Sequence, residues 1–386
     1  MVLDLFSCLL YSNPVLNKKL RIMFCIIKNA IKLSLMLSIL FFESCHEYVF
    51  KGDEVDSIVF DMSNNYSVNN RVSFSDYEII SLENNNKCML GSVDKMCITP
   101  KGIYILDKSV HDAIYLFEHS GKFLRKIGMQ GHAKNEYVKI DNFAVSPQGD
   151  TVYVLDFNKV KTYTSENNFI NAYELDDEYG WDDLACIDGN AYMGSYHHGY
   201  NGIITKYSKD FTRKEQIGNI DPSLIVASAS CYNFIQHNEK YICFWDYVKS
   251  SIYLIDRENQ VPLKKYVIRM NEVSDKNTNK GLIAESNEIL NVRLSDDFLF
   301  CFISHNGMLN SYVIDINDDC IYQQAETLLS YNLCGYYDGY IYKWYNANAF
   351  INMLEENNDN LKDAMRTSVD ELSEDDNIYL VRMKVK

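Results

Sequence analysis

One short phrase recurs along this chain and limits what it can fold into. Strand-like runs that are nearly all β-branched, aromatic or aliphatic begin at Ile103 (IYILD), Val152 (VYVLD), Ala191 (AYMGS), Tyr241 (YICFW), Phe298 (FLFCF) and Tyr340 (YIYKW). Successive starts are therefore 49, 39, 50, 57 and 42 residues apart. A period near four dozen residues, with room for about four short strands per unit, is the spacing of β-propeller blades. A single sandwich does not repeat its strand pattern six times. Composition agrees, because 13% aromatic residues, 29 Tyr and only 5 Pro suit pleated, half-buried strands better than helices or disorder.

The first unit parses into strands A to D as Ser92–Thr99, Ile103–Asp107, Ala113–Glu118 and Phe123–Ile127, with Ser120-Gly121 as the last hairpin turn. Pro100-Lys101-Gly102, Pro147-Gln148-Gly149-Asp150, Asp188-Gly189-Asn190 and Asp338-Gly339 fall between A and B in their units. The sixth unit offers only Leu333–Tyr337, Tyr340–Tyr345 and Ile378–Val385, so it is one strand short. Tyr77–Leu82, upstream of the first unit, is a strand with no unit of its own. Placing it outside Ile378–Val385 completes the last blade, closes the ring and removes two free sheet edges. The expected architecture is all-β: a six-bladed β-propeller over residues 77–386, closed by an N-terminal strand on the C-terminal strand. A small helical insertion is expected within Asn346–Asn377, where Phe350, Met353 and Leu354, then Leu361, Met365, Val369 and Leu372, keep helical spacing. It reads as a local cap on one face of the ring.

The N-terminal residues read as targeting rather than fold. Leu33–Phe42 is a ten-residue apolar run after Lys28 and Lys32, followed by Glu43-Ser44-Cys45. It is too short to span a bilayer and suits a signal peptide over residues 1–44, with Met23 as the natural start. Ser44-Cys45 then resembles the end of a lipobox, with Cys45 taking the lipid and residues 45–76 serving as anchor and tether. Without residues 1–44 the chain has 37 − 5 = 32 basic and 53 − 2 = 51 acidic residues, a net of −19. Such a balance argues against nucleic acid and against anionic membrane surfaces, leaving the lipid as the only membrane contact. Eight further Cys, from Cys88 to Cys334, are scattered singly in apolar runs with no C-x-x-C pair, and read as buried thiols.

At the strand pattern and the loop Gly128–Tyr137 the sequence resembles the six-bladed β-propeller lipoproteins of gut Bacteroidetes, relatives of NHL-repeat propellers. The residues that carry the likeness are Ser81-Leu82-Glu83, Leu90–Lys95, the IYILD run, Ser120–Phe123, Ile127-Gly128, Glu136-Tyr137 and Ser373–Asn377. The family loop G-x-G-P-G-E-Y stands here as Gly131-His132-Ala133-Lys134-Asn135-Glu136-Tyr137, without its Pro and second Gly. The resemblance implies the fold and export to the cell envelope.

Function is less legible. The D–A and B–C connections share the face that carries the longest loops, so that face is the expected binding surface. Trp181, among Asp176, Asp177, Glu178, Asp182 and Asp183, could stack a sugar or a cationic side chain; its alternative is a packing Trp beside solvated turn acids. Tyr196-His197-His198-Gly199-Tyr200 has no metal-ligand spacing around its histidines. Asp94, Asp141, Asn142, Asp183, Asn233 and Asn291 stand at or near the starts of A strands and could ring waters or a channel cation such as calcium, with Asp94, Asp141, Asn233 and Asn291 as its ligands, or simply cap turns. No nucleophile elbow, phosphate loop or paired-carboxylate pattern is present. The leading expectation is a non-catalytic envelope lipoprotein that binds a glycan, peptide or protein partner, with Trp181, Tyr196, His197, Tyr200, His132 and Tyr137 as contacts and no cofactor. The alternative is a lactonase-, lyase- or esterase-type enzyme centred on one channel cation.

Overall fold

Strands that are apolar along their whole length, rather than alternately, must be covered on both faces. In the computed structural model that cover comes from neighbouring blades. The structure describes residue 55 and residues 57–68, 72–175, 181–194, 204–217, 234–246, 250–270, 287–324, 333–356, 372–373 and 378–386. All of these fall within one unit, Val49–Lys386.

Two strands precede the first blade, β1 (Ser57–Asp61) and β2 (Phe74–Ser81). Blade one is β3 (Lys95–Thr99), β4 (Gly102–Asp107), β5 (Ala113–Phe117) and β6 (Phe123–Ile127). Blade two is β7 (Asn142–Val145), β8 (Thr151–Asp156), β9 (Lys159–Thr164) and β10 (Phe169–Glu174). Blade three is β11 (Asp183–Ile187), β12 (Asn190–Gly194), β13 (Ile204–Tyr207) and β14 (Lys214–Ile217). Blade four is β15 (Ile235–His237), β16 (Tyr241–Asp246), β17 (Ser251–Asp256) and β18 (Pro262–Arg269). Blade five is β19 (Glu288–Leu294), β20 (Phe298–His305), β21 (Met308–Asp315) and β22 (Cys320–Gln323). Blade six holds β23 (Leu333–Tyr337), β24 (Tyr340–Asn346), α1 (Ala347–Glu356) and β25 (Ile378–Val385).

The A strands β3, β7, β11, β15, β19 and β23 touch in that circular order, and β23 returns to β3. The A to D strands of each blade are antiparallel from the centre outward. Every residue of β4 and β5 is buried, whereas the rim strand β10 is mostly open to solvent. The Asp188-Gly189 and Asp338-Gly339 turns put both central residues at positive φ (51° and 78°, 51° and 79°), the mirror-image turn that matches the twist of a two-residue hairpin.

Ring closure follows the sequence expectation: β2 pairs antiparallel with β25, from Phe74 opposite Val385 to Ser81 opposite Tyr379. The segment expected to be a free tether behaves differently. Its residues Ser57–Asp61 lie parallel to β18, Ser57 opposite Lys265 and Asp61 opposite Arg269, and give blade four a fifth strand. The reason is local chemistry. Ser-Ile-Val-Phe-Asp is β-prone, and Phe60, 6% exposed, stacks on Tyr266 at 5.8 Å, a burial worth about 2 kcal/mol. The chain then bridges blade five at Val68 and Gln323 and reaches blade six through mutual backbone bonds of Ser73 and Lys386. It straps the outer edges of three successive blades.

The insertion begins as expected with a helix. Asn346 Oδ1 caps it by accepting from Ala349 N–H at 2.9 Å, and Ala347, Phe350 and Leu354 bury one stripe against Tyr379 and Val381. Leu361, Met365 and Val369 lie outside the described residues. Among those residues no helix is long and apolar enough to cross a membrane.

Candidate functional site

Aspartates at two recurring blade positions fasten the loop-rich face. Asp94, just before β3, accepts from Lys108 N–H (2.7 Å), Ser109 N–H (2.9 Å) and Ser109 Oγ–H (2.6 Å) in the turn between β4 and β5. Asp107, at the end of β4, reaches the other way and accepts from Gly91 N–H at 2.7 Å, with His111 Nδ1 also at 2.7 Å. Burial works to raise the Asp107 pKa, but these bonds outweigh it and hold the carboxyl below its ordinary value. Blade two repeats the exchange. Asp141 accepts from Phe157 N–H at 3.0 Å, and Asp156 accepts from Val138 and Lys139 N–H, both at 3.2 Å.

These bonds decide how the expected cation ring fits. A calcium site needs carboxylate oxygens turned together. Asp94 and Asp141 instead turn toward backbone amides, and Asn291 donates its amide to Leu333 O at 3.0 Å. Asn233 lies outside the described residues. Among the described residues no three His, Cys, Asp or Glu side chains group to hold a metal. Asp94, Asp141 and Asn291 are engaged in turn and seam bonding.

The other expected contacts separate in the same way. Trp181 is 4% exposed and meets Tyr207 edge-on at 6.2 Å inside the apolar cluster between blades two and three, so it has no open ring face for a sugar. Tyr137 is 3% exposed and donates its hydroxyl to Asp112 O at 3.1 Å. Gly128 lies beneath its ring, where a Cβ would stand 2.8 Å from a ring carbon. The loop keeps its shape without the family's Pro: Gly131 N–H and Tyr137 O pair at 2.9 Å, and Glu136 Oε2 accepts from Ala133 N–H at 2.9 Å. His132 is exposed at its tip. Tyr196, His197, Tyr200 and Cys45 lie outside the described residues.

A concave site lies elsewhere. A cavity of about 940 Å³ occupies the central channel, walled by the A strands and opening among the A–B turns, opposite the loop-rich face. At its inner end Lys95 Nζ donates to Asn142 Oδ1 (2.9 Å), Asp183 Oδ1 (2.7 Å) and Leu184 O (2.7 Å). Asp183 Oδ2 accepts from Ile235 N–H at 2.9 Å, so one buried ion pair joins blades one, two, three and four. All three protons of the ammonium are satisfied, which is the condition for burying such a charge. Further round, Gln236 pairs with Val292 O (2.7 Å) and Leu294 N–H (2.9 Å) as if it were one more strand residue.

The mouth is mixed in character. Asp188 clasps Arg257 through two bonds of 2.9 and 2.6 Å, and Arg257 also donates to Asn238 O at 2.6 Å. Lys240 faces Asp297 at 3.4 Å, and Tyr336 donates to Asp296 at 2.7 Å. Tyr337 stacks against His119 at 5.9 Å. Burial, with the Arg257 charge adding to it, pushes the His237 imidazole down to about 4, so it is neutral at physiological pH. Cys97, Cys186 and Cys334 also line the wall, and burial pushes their thiols up to about 11, 11 and 12. They are poor nucleophiles there, and every cysteine among the described residues is unbridged. Sequence reasoning placed Asn142 and Asp183 on the channel but expected the binding surface on the loop-rich face, because the turns here are short; Lys95 and Gln236, the other polar residues on the A strands, were missed.

Comparison with known proteins extends the fold. No curated protein matches the chain. Among solved structures, it is similar to a Bacteroides fragilis protein whose name infers export, at 18% identity and a TM-score of 0.65, covering 86% of this chain and 100% of that one. A Bacteroides vulgatus member of the DUF4221 family also matches, at 10% identity and a TM-score of 0.48, over 82% of this chain and 99% of that one. The family model described as "Domain of unknown function (DUF4934)" matches residues 57–384, which takes in β1 and the whole ring. With the fold closed at both ends of that span, this chain belongs to the DUF4934 family.

Proposed function

We propose that this chain is an exported, lipid-anchored envelope protein whose propeller is a binding module, taking a glycan or peptide into its central cavity. The observation that carries the reading is the 940 Å³ space on the axis, open at one face, with tyrosines and paired charges at the mouth. Such a lining suits a ligand that offers hydroxyls or amides to polar groups and a flat face to Tyr336 or Tyr337. Export is supported by the charged-then-apolar run ending at Phe42 and by the name of the Bacteroides fragilis protein. Anchoring is supported by Ser44-Cys45.

The test is binding of the purified protein to glycan and peptide arrays, followed by titration of any hit against two variants. Tyr336→Ala, at the mouth, is expected to weaken the hit at least tenfold, the order of one lost stacking and hydrogen-bonding contact. His132→Ala, on the opposite face, is expected to leave it unchanged. The reverse pattern would return the site to the loop-rich face.

A further inference from the structure

Polar groups on the cavity wall differ in how far the protein itself uses their bonding capacity. Lys95, Gln236, Arg257 and Tyr336 direct theirs at other residues of the ring. His237 does not. It ends β15, lies half-buried on the wall, and its ring makes no hydrogen bond among the described residues. Its charged neighbours, Asp188 and Arg257, are clasped to each other instead. Burial keeps the ring neutral, so it offers one N–H donor and one bare nitrogen acceptor.

We infer that the ligand of the central cavity is an uncharged oligosaccharide, and that His237 reads it by pairing its ring nitrogens with sugar hydroxyls. This rests on the binding-module reading above and chooses between its two ligand classes. A hydroxyl both donates and accepts, as a neutral imidazole does, and neither brings a charge that must be offset on burial. The cavity wall carries four basic and four acidic side chains, a balance that favours an uncharged guest. A peptide would add as a strand to the inner edge of a blade. On β11, β15, β19 and β23 that edge is already met by side chains. Lys95 holds Leu184 O, Asp183 holds Ile235 N–H, Gln236 holds Val292 O and Leu294 N–H, and Asn291 holds Leu333 O. Cys97, Ala144, Ala185 and Gly335 leave the wall of blades one, two, three and six low. The resulting volume of about 940 Å³ is near the upper end for pockets that enclose small ligands, with room for more than one sugar ring.

The experiment titrates the full-length protein with neutral oligosaccharides, with uronate and sulfated oligosaccharides, and with peptides, and repeats any hit on variants. An uncharged oligosaccharide is expected to bind, and to weaken about tenfold or more in His237→Phe, which keeps a flat ring without its nitrogens. Affinity is expected to return to within about threefold of the original in His237→Gln, which restores one donor and one acceptor. In the unsubstituted protein, the imidazole nitrogen resonances that His237→Gln lacks are expected to shift on adding that sugar, a readout that misfolding of His237→Phe cannot mimic. A peptide or charged-glycan hit that Tyr336→Ala weakens overturns this inference and leaves cavity binding intact. So does a neutral sugar whose affinity and nitrogen shifts ignore His237 but whose binding Tyr336→Ala weakens. No hit at all, or one indifferent to both residues, overturns the cavity reading and this inference with it.

Discussion

The seams between the first four blades and those between the last three are held by different chemistry. From blade one to blade four the joint is ionic: Lys95 binds Asn142 and Asp183, and Asp183 passes its second oxygen to Ile235 N–H. From blade four to blade six it is side chain to backbone, with Gln236 on β19 and Asn291 and Arg293 both on Leu333 O of β23. The last three blades are also strapped from outside by β1 and β2. A charge hub is satisfied only as a whole, because losing one partner leaves the other buried in a medium that cannot solvate it. Amide seams lose one bond at a time. The first half of the ring should therefore fail abruptly, and the second half by degrees.

Lys95→Met tests the abrupt half. It leaves the Asp183 carboxylate, 0% exposed, without its cation, and should lower the free energy of unfolding by about 3–5 kcal/mol, read from the urea midpoint. A loss under about 1 kcal/mol would dissolve the comparison.

Lys343 sharpens the other half. It stands on β24 at 2% exposure, with the Tyr345 ring 5.0 Å from its Nζ, and burial pushes its ammonium down to about 7. For a base whose folded pKa lies below its unfolded value near 10.5, the penalty is full below pH 7 and is relieved as pH rises toward 10.5. Lys343→Met should stabilise the protein at pH 7 by on the order of 3–4 kcal/mol and remove that pH-dependent gain, as chemical denaturation across the range would show.

His237 has the same sense at lower pH. Its folded value of about 4 against 6.5 means that stability present above pH 6.5 is lost as pH falls toward 4. His237→Gln should flatten that acid limb by about 2 kcal/mol. Gln236→Ala, which breaks one amide seam, should cost about 1–2 kcal/mol, well short of Lys95→Met. The smallest effect is expected from Tyr137→Phe, about 1 kcal/mol for a single hydroxyl bond.

What the sequence revealed and what it hid follow from distance along the chain. Blade strands were legible because hairpins are local: a run such as IYILD meets its partner a few residues on, through a turn with its own residue signature. The closing strand was legible by elimination, since one blade lacked a strand and one strand lacked a blade. β1 was not, because its partner β18 begins about two hundred residues later and neither sequence names the other. The Lys95–Asp183 pair spans 88 residues for the same reason. Trp181 shows a different limit. Acidic neighbours left a stacking platform and a packing Trp both open, and the ring that it meets edge-on, Tyr207, comes from β13 about two dozen residues later. The aspartates at Asp94 and Asp107, repeated at Asp141 and Asp156, were visible as a pattern, although not as partners in one exchange.

The strap also sets an order of events in the life of the chain. Residues Phe74–Ser81 are among the first of the ring to be synthesised, and their partner Ile378–Val385 is the last to arrive. Until then β2 is a β-prone segment without a sheet, and blade six cannot exist. The ring thus stays open until β25 is present, a delay of the kind that makes long-range β pairing slow. The pairing of Phe74–Ser81 with Ile378–Val385 is the latch that closes the ring.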